Sequence, residues 1–123
     1  MSEELPPHVR SQLQRLQQLQ DQLQAIELRK QQWQIRLNEL ENAIKELEKV
    51  KEDAHVYKVV GPIMVSSTKQ ELLDELKEKK EIAEASLITL DKQEKLLRKQ
   101  LRDLQKKITE ALTAGRGRAT SGA

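Results

Sequence analysis

The 123-residue sequence contains no cysteine and no phenylalanine, and it has a single tryptophan, Trp33, and a single tyrosine, Tyr57. Without cysteine there are no disulfides and no thiol chemistry, as suits a reducing compartment. Without large aromatic side chains, a self-contained globular core lacks its usual filling. No run of 18 apolar residues occurs, so no segment is expected to span a membrane. The opening MSEELPPHVR lacks the apolar stretch of a secretory signal. Net charge is only +2, too small an excess to argue for a nucleic-acid partner.

What is present is charge and leucine. Charged residues make up 34% of the chain, nearly matching the 37% that are apolar. That balance belongs to long exposed helices of the coiled-coil kind. At this length one domain, residues 1–123, is expected.

The periodicity specifies the helices. With heptad position a at Leu16, the a series runs Leu16, Leu23, Lys30, Leu37, Ile44, and the d series Leu19, Ile26, Trp33, Leu40, Leu47. Only Lys30 breaks the apolar pattern over more than four heptads, which is a strong coiled-coil signal. A second series has a at Leu73, Lys80, Leu87, Glu94, Leu101, Ile108 and d at Leu76, Ala83, Leu90, Leu97, Leu104, Ala111. Pro6 and Pro7 suit a helix start, since proline at the first helical position gives up only an orphan N–H. Thr68-Lys69-Gln70-Glu71 reads as a capping box. Gly115 and Gly117 predict the end of the second helix, leaving 114–123 as a flexible tail. The expected helices, 8–54 and 69–113, would each be ~65–70 Å long. Equal lengths predict an antiparallel hairpin, with residues 9–16 and 108–112 side by side. Lys30 and Glu94 would then either lie near each other, easing the cost of charge in the seam, or snorkel outward separately.

Between the helices stands VYKVVGPIMV, residues 56–65. Val56, Tyr57, Val59, Val60, Ile63 and Val65 favour strands, and Gly61-Pro62 can form a two-residue type II′ turn. Two strands, 56–60 and 63–67, are expected. Such a hairpin is marginal alone in water, and it carries apolar residues on both faces and two open edges. Unless it is a loop resting on the closed end of the coil, other chains must cover it. Val56, Tyr57, Val59, Val60, Gly61, Ile63, Met64 and Val65 are therefore the candidate subunit-assembly residues.

The run DAHVYKVVGPIMV between two equal helices, with the Leu5-Pro6-Pro7 start, the Gln-rich first helix and Gln93-Glu94 midway along the second, resembles the β class of the prefoldin family. Its single hairpin points to that class, because the α class carries two. The Gly61-Pro62 turn is also similar to the eukaryotic subunit-six type. The resemblance implies a mostly α fold, a long antiparallel two-helix coiled coil whose short β-hairpin assembles into an intersubunit β-barrel. It further implies a hetero-hexamer of two α-class and four β-class chains, resident in the cytoplasm. Such a chaperone holds unfolded clients at its coiled-coil tips without ATP and passes them to a group II chaperonin.

Client binding needs apolar surface that the seam does not use. Leu13 and Leu112 both take position e beside the seam. Leu5 and Val9 precede the strongest part of the first helix, where fraying would expose Leu16 and Ile108. These six are the candidate client-binding residues; the alternative is that Leu13 and Leu112 only widen the seam. Ten glutamines between residues 12 and 34 give a polar, uncharged surface that suits either client approach or plain solvation. Arg98, Lys99, Arg102, Lys106 and Lys107 form a basic stripe that Arg116 and Arg118 extend. With no aromatics interleaved for stacking, it reads as a solvated coil face before a nucleic-acid site.

Catalysis finds no support. No phosphate-binding G-x-x-x-x-G-K-[ST] loop occurs, His8 and His55 stand at opposite ends of one helix, and the carboxylates lie on solvated faces. No cofactor and no metal are expected. The competing reading is a structural coiled-coil adaptor that brings partners together without chaperone activity.

Overall fold

The computed structural model describes residues 5–121, with side chains described up to residue 114. The element order is α1 (Pro7–Glu48), β1 (Val56–Val60), β2 (Ile63–Ser67) and α2 (Lys69–Ser121). The chain divides into two compact units, Met1–Leu28 with Asp91–Ala123, and Arg29–Leu90.

α1 opens as its prolines dictate. Pro7 takes the first helical position, and the carbonyl of Pro6 accepts from the amides of Val9 and Arg10 at 3.0 and 3.1 Å. In the first unit Leu19, Leu97 and Leu101 form a buried cluster, flanked by Leu16, Leu23, Ile26 and Leu104. In the second unit Leu37, Leu40 and Ala83 form one cluster, with Trp33, Leu76 and Leu87 against it. Leu47, Val56 and Leu73 form another, with Ile44, Val50, Leu72 and Leu76 around them. Within each unit the α1 and α2 segments run antiparallel. Every a and d position named from the sequence is buried or half-buried, in both helices. Burial of that stripe is what holds helices of this composition together, since propensity alone contributes little.

Two boundaries differ from expectation. α1 stops at Glu48, six residues before the expected 54. The amides of Lys49 and Val50 bond three residues back, to Glu46 and Leu47 at 3.2 and 3.1 Å, which tightens and ends the helix. α2 continues through Gly115 and Gly117 to Ser121, where an end near 113 and a flexible tail were expected. Glycine weakens a helix by about 1 kcal/mol yet keeps its N–H, so it does not interrupt the ladder. Of the expected tail, Gly122 and Ala123 and the side chains of Arg116 and Arg118 lie outside the described residues.

β1 and β2 pair antiparallel from Val56↔Ser67 to Val60↔Ile63, the strands expected from the sequence. Gly61 has φ +56°, and proline at 62 holds a negative φ, which together make the type II′ turn. At the other end of β2, Thr68 caps α2: its hydroxyl oxygen accepts from the Glu71 amide at 3.1 Å. That is the threonine half of the expected capping box. Among the described residues no helix is long and apolar enough to cross a membrane.

Candidate functional site

The strand register sorts the hairpin into two faces, because side chains alternate along a strand and opposed residues share a side. Tyr57, Val59, Met64 and Ser66 share one; Val56, Lys58, Val60, Ile63, Val65 and Ser67 share the other. On the first face nothing covers the apolar groups: Tyr57 is 58% exposed, Val59 72% and Met64 68%. The second face is graded. Val56 at its root is buried against Leu47 and Leu73, Val65 is half-buried, and Val60 and Ile63 beside the turn are exposed.

This corrects one part of the sequence reading. The chain's own helices do cover the root of one face, because Leu47 and Leu73, the last and first seam residues, have no further helical layer above them and accept Val56. Tyr57, Val59, Val60, Ile63 and Met64 stay bare.

Lys58, the one charge in the apolar run, lies on the helix-facing side. Its ammonium donates to Glu75 Oε2 at 3.2 Å, and Lys79 approaches the other carboxylate oxygen at 3.4 Å. The hydrogen bond from Lys58, followed by the lysine charges, holds the Glu75 carboxyl below its usual value. Lys58 thus ties the hairpin to α2 and keeps charge off the open face.

A second lysine does more, and the sequence reading missed it. Among the described residues Lys69 is the one charged side chain that is buried. It donates to the carbonyls of Glu48 and Val50 at 3.1 and 2.7 Å and lies 3.5 Å from a Glu52 carboxylate oxygen. A lysine at a helix C-terminus satisfies orphan carbonyls. Its place one residue after Thr68, where only a capping box was read, carried no local signal of that reach.

Of the six candidate client-binding residues, the structure leaves three open. Leu5, Leu13 and Leu112 are 37%, 38% and 40% exposed, whereas Val9 is only 1% exposed and Ile108 is buried; Leu16 is half-buried. Counting back seven from Leu16 puts Val9 at position a, the signal that would have placed it in the seam. The same step puts Gln12 at d, and its Oε1 is buried with no hydrogen-bond partner. All seven belong to the first unit.

One member of the basic stripe is paired: Arg98 donates to Glu27 at 2.7 Å and lies 3.6 Å from Glu94. Outside the stripe, Lys95 pairs with Asp91 at 3.1 Å. Among the described residues no group of three His, Cys, Asp or Glu side chains is placed to hold a metal ion.

The family model described as "Prefoldin subunit" matches residues 10–114. The chain belongs to the prefoldin family. A prefoldin subunit beta of Caldivirga maquilingensis is 46% identical over 117 residues, covering 95% of this chain and 97% of that one. Another, of Pyrobaculum neutrophilum, is 42% identical over 120 residues, covering 98% and 95%. The crystal structure of the prefoldin beta subunit from Thermococcus strain KS-1 superposes with a TM-score of 0.81 at 40% identity, covering 90% of this chain and 97% of that one. The beta2 subunit of the same strain gives 0.65 at 25% identity, covering 72% and 95%. Prefoldins are coiled-coil chaperone subunits that assemble with other prefoldin subunits; in this chain alone Tyr57, Val59 and Met64 of the hairpin are uncovered, as are Leu28, Ile35, Ile82, Ile88 and Leu96 on the helices.

Proposed function

We propose that this chain is the β-class subunit of an ATP-independent holdase, joined through its hairpin to α-class and further β-class chains in a hexamer of two α and four β. It works in the cytoplasm, binds unfolded polypeptides at the helix ends and delivers them to a group II chaperonin. The observation that carries the reading is the exposed trio Leu5, Leu13 and Leu112, in one unit with the start of α1 and the end of α2, where Leu28 and Leu96 are exposed as well. Apolar groups left outside a satisfied seam suit weak contact with many apolar clients.

The adaptor reading shares the hairpin but gives these leucines no task. The assembled complex, with its α-class partner, should suppress aggregation of a chemically denatured test protein without nucleotide. Absence of suppression would leave the adaptor.

A further inference from the structure

Along α2 the exposed charges are sorted into blocks. α2 is one helix from Lys69 to Ser121, and steps of three and four that alternate keep to one side of a helix. Ten positions follow that alternation from Glu71 to Arg102, and all ten are exposed. Glu71, Asp74, Glu78 and Glu81 come first, all acidic and all in the second unit. Ala85 and Ile88 follow, without charge. Lys92, Lys95, Lys99 and Arg102 end the row, all basic and all in the first unit.

The chain itself makes little use of these charges. Among the described residues only Lys95 of the eight has an ion pair, to Asp91 at 3.1 Å. A solvated helix gains by mixing its charges, because opposite signs three or four residues apart attract and like signs repel. Here each block sets like beside like along the row.

The order of the blocks is self-complementary. A second copy can be laid antiparallel about a two-fold axis between Ala85 and Ile88. Glu71 then faces the partner's Arg102, Asp74 the partner's Lys99, Glu78 the partner's Lys95 and Glu81 the partner's Lys92. The axis repeats these four contacts as eight. Ala85 meets the partner's Ile88 at the centre, beside the exposed Ile82. A slip of one heptad keeps only half of the pairs and sets lysines against Ala85 and Ile88. A parallel arrangement sets acid on acid. The sequence of charges thus selects one direction and one register.

We propose that this row of α2 is an isologous interface at which two copies of the chain pair antiparallel. The inference goes beyond the holdase reading and does not depend on it. The contact leaves the hairpin free. Chains that share a hairpin platform start α2 from a common end, so the antiparallel contact joins chains of two separate assemblies. Exposed ion pairs are individually weak and are screened by salt, so the pairing is reversible and strongest at low ionic strength.

The absence of native cysteine makes the test direct. Ala85→Cys in the full chain sets two thiols beside the axis, within reach of a short bismaleimide. Thr109→Cys continues the same row, but in the antiparallel pair its two thiols stand about 65–70 Å apart. A cross-linked dimer is expected from Ala85→Cys and not from Thr109→Cys, with a yield that falls as salt is added. Two further chains carry Ala85→Cys together with reversed charges: Asp74→Lys, Glu78→Lys and Glu81→Lys in one, Lys92→Glu, Lys95→Glu and Lys99→Glu in the other. Each alone should cross-link less by about tenfold or more, because six pairs turn from attraction to repulsion. Mixed together, the two reversed chains face each other with opposite charges again and should recover the yield, helicity being unchanged throughout. Equal yields at positions 85 and 109, reversed chains that cross-link as well alone as wild type, or reversed chains that stay apart on mixing would each overturn the interface. Retention of the unaltered chain on heparin without any cross-link at position 85 would overturn it too, and would assign the basic block to a polyanion.

Discussion

The ammonium of Lys69 donates to the carbonyl oxygen of Val50 at 2.7 Å, across 19 residues of sequence. With its bond to Glu48, it closes the end of α1 from the first residue of α2. The segment that leads into β1 is thereby held by a buried lysine. Hydrogen bonds from a charged donor contribute about 1.5–3 kcal/mol each, and removing the donor leaves carbonyls without that partner. Lys69→Met should therefore lower stability by about 2–3 kcal/mol, read as a fall in the denaturant midpoint at fixed protein concentration. Lys69→Arg should recover part of the loss. A Lys69→Met midpoint equal to wild type would mean that water replaces the lysine at no cost.

Gly61 tests the turn in a different way. Its φ is +56°, and a Cβ built there meets nothing within 4 Å. The only penalty for a side chain is thus the left-handed backbone, about 1–2 kcal/mol for an ordinary L-residue. Gly61→Ala should destabilise the assembled complex by about that amount, and Gly61→Asn by less, since asparagine tolerates this region. Equal loss for both variants would point instead to a steric clash within the complex.

Glu75 predicts a pH dependence. Its carboxyl titrates below the usual 4.5 in the folded chain, first because Lys58 donates a hydrogen bond to it and then because of the lysine charges. A lowered folded value means that the ionised carboxylate contributes stability above pH 4.5, and that this contribution fades as the pH falls through the folded value. Glu75→Gln should be less stable than wild type at neutral pH, with the difference shrinking toward zero in acid. The pair is half-buried, with more than a third of each side chain open to solvent, so the effect should be small and should weaken with added salt. Thermal midpoints of both proteins between neutral pH and pH 3 measure it, and a constant gap across that range would remove Lys58–Glu75 as the cause.

The heptads and the hairpin were legible because each depends on spacing within a few residues. Leucine every three or four positions has to be covered, and Val-Tyr-x-Val-Val before Gly-Pro has little choice but to pair. What escaped depends on residues far apart in the chain. The stop at Glu48 involves Lys69, 21 positions later, and no local pattern announces it. The covering of Val56 requires Leu47 and Leu73 to meet. Val9 is the opposite case. One more step of seven would have found it, but a heptad interrupted by Gln12 looks like the edge of a coil when read forward from Leu16.

Gln12 also sets up the sharpest test of where clients are held. Leu5, Leu13 and Leu112 are exposed, whereas Val9 and Ile108 are buried, so deleting residues 1–9 would damage the seam together with the surface. Substituting the three exposed leucines by serine avoids this. Exposed substitutions usually change stability by no more than about 0.5 kcal/mol each, so helicity and oligomer size should hold while protection of a denatured client falls sharply. Gln12→Leu works in the other direction. The unpartnered Oε1 of Gln12 costs about 1–3 kcal/mol where it lies buried, and replacing the amide with an apolar chain should raise the thermal midpoint and suppress fraying of the first unit. If clients are gripped by seam residues such as Leu16 and Ile108 that fraying uncovers, Gln12→Leu will hold them less well than wild type. If they are gripped by the standing surface, Gln12→Leu will hold them equally well and only the triple serine variant will fail. Full protection by both variants would place the grip outside the six residues named from the sequence.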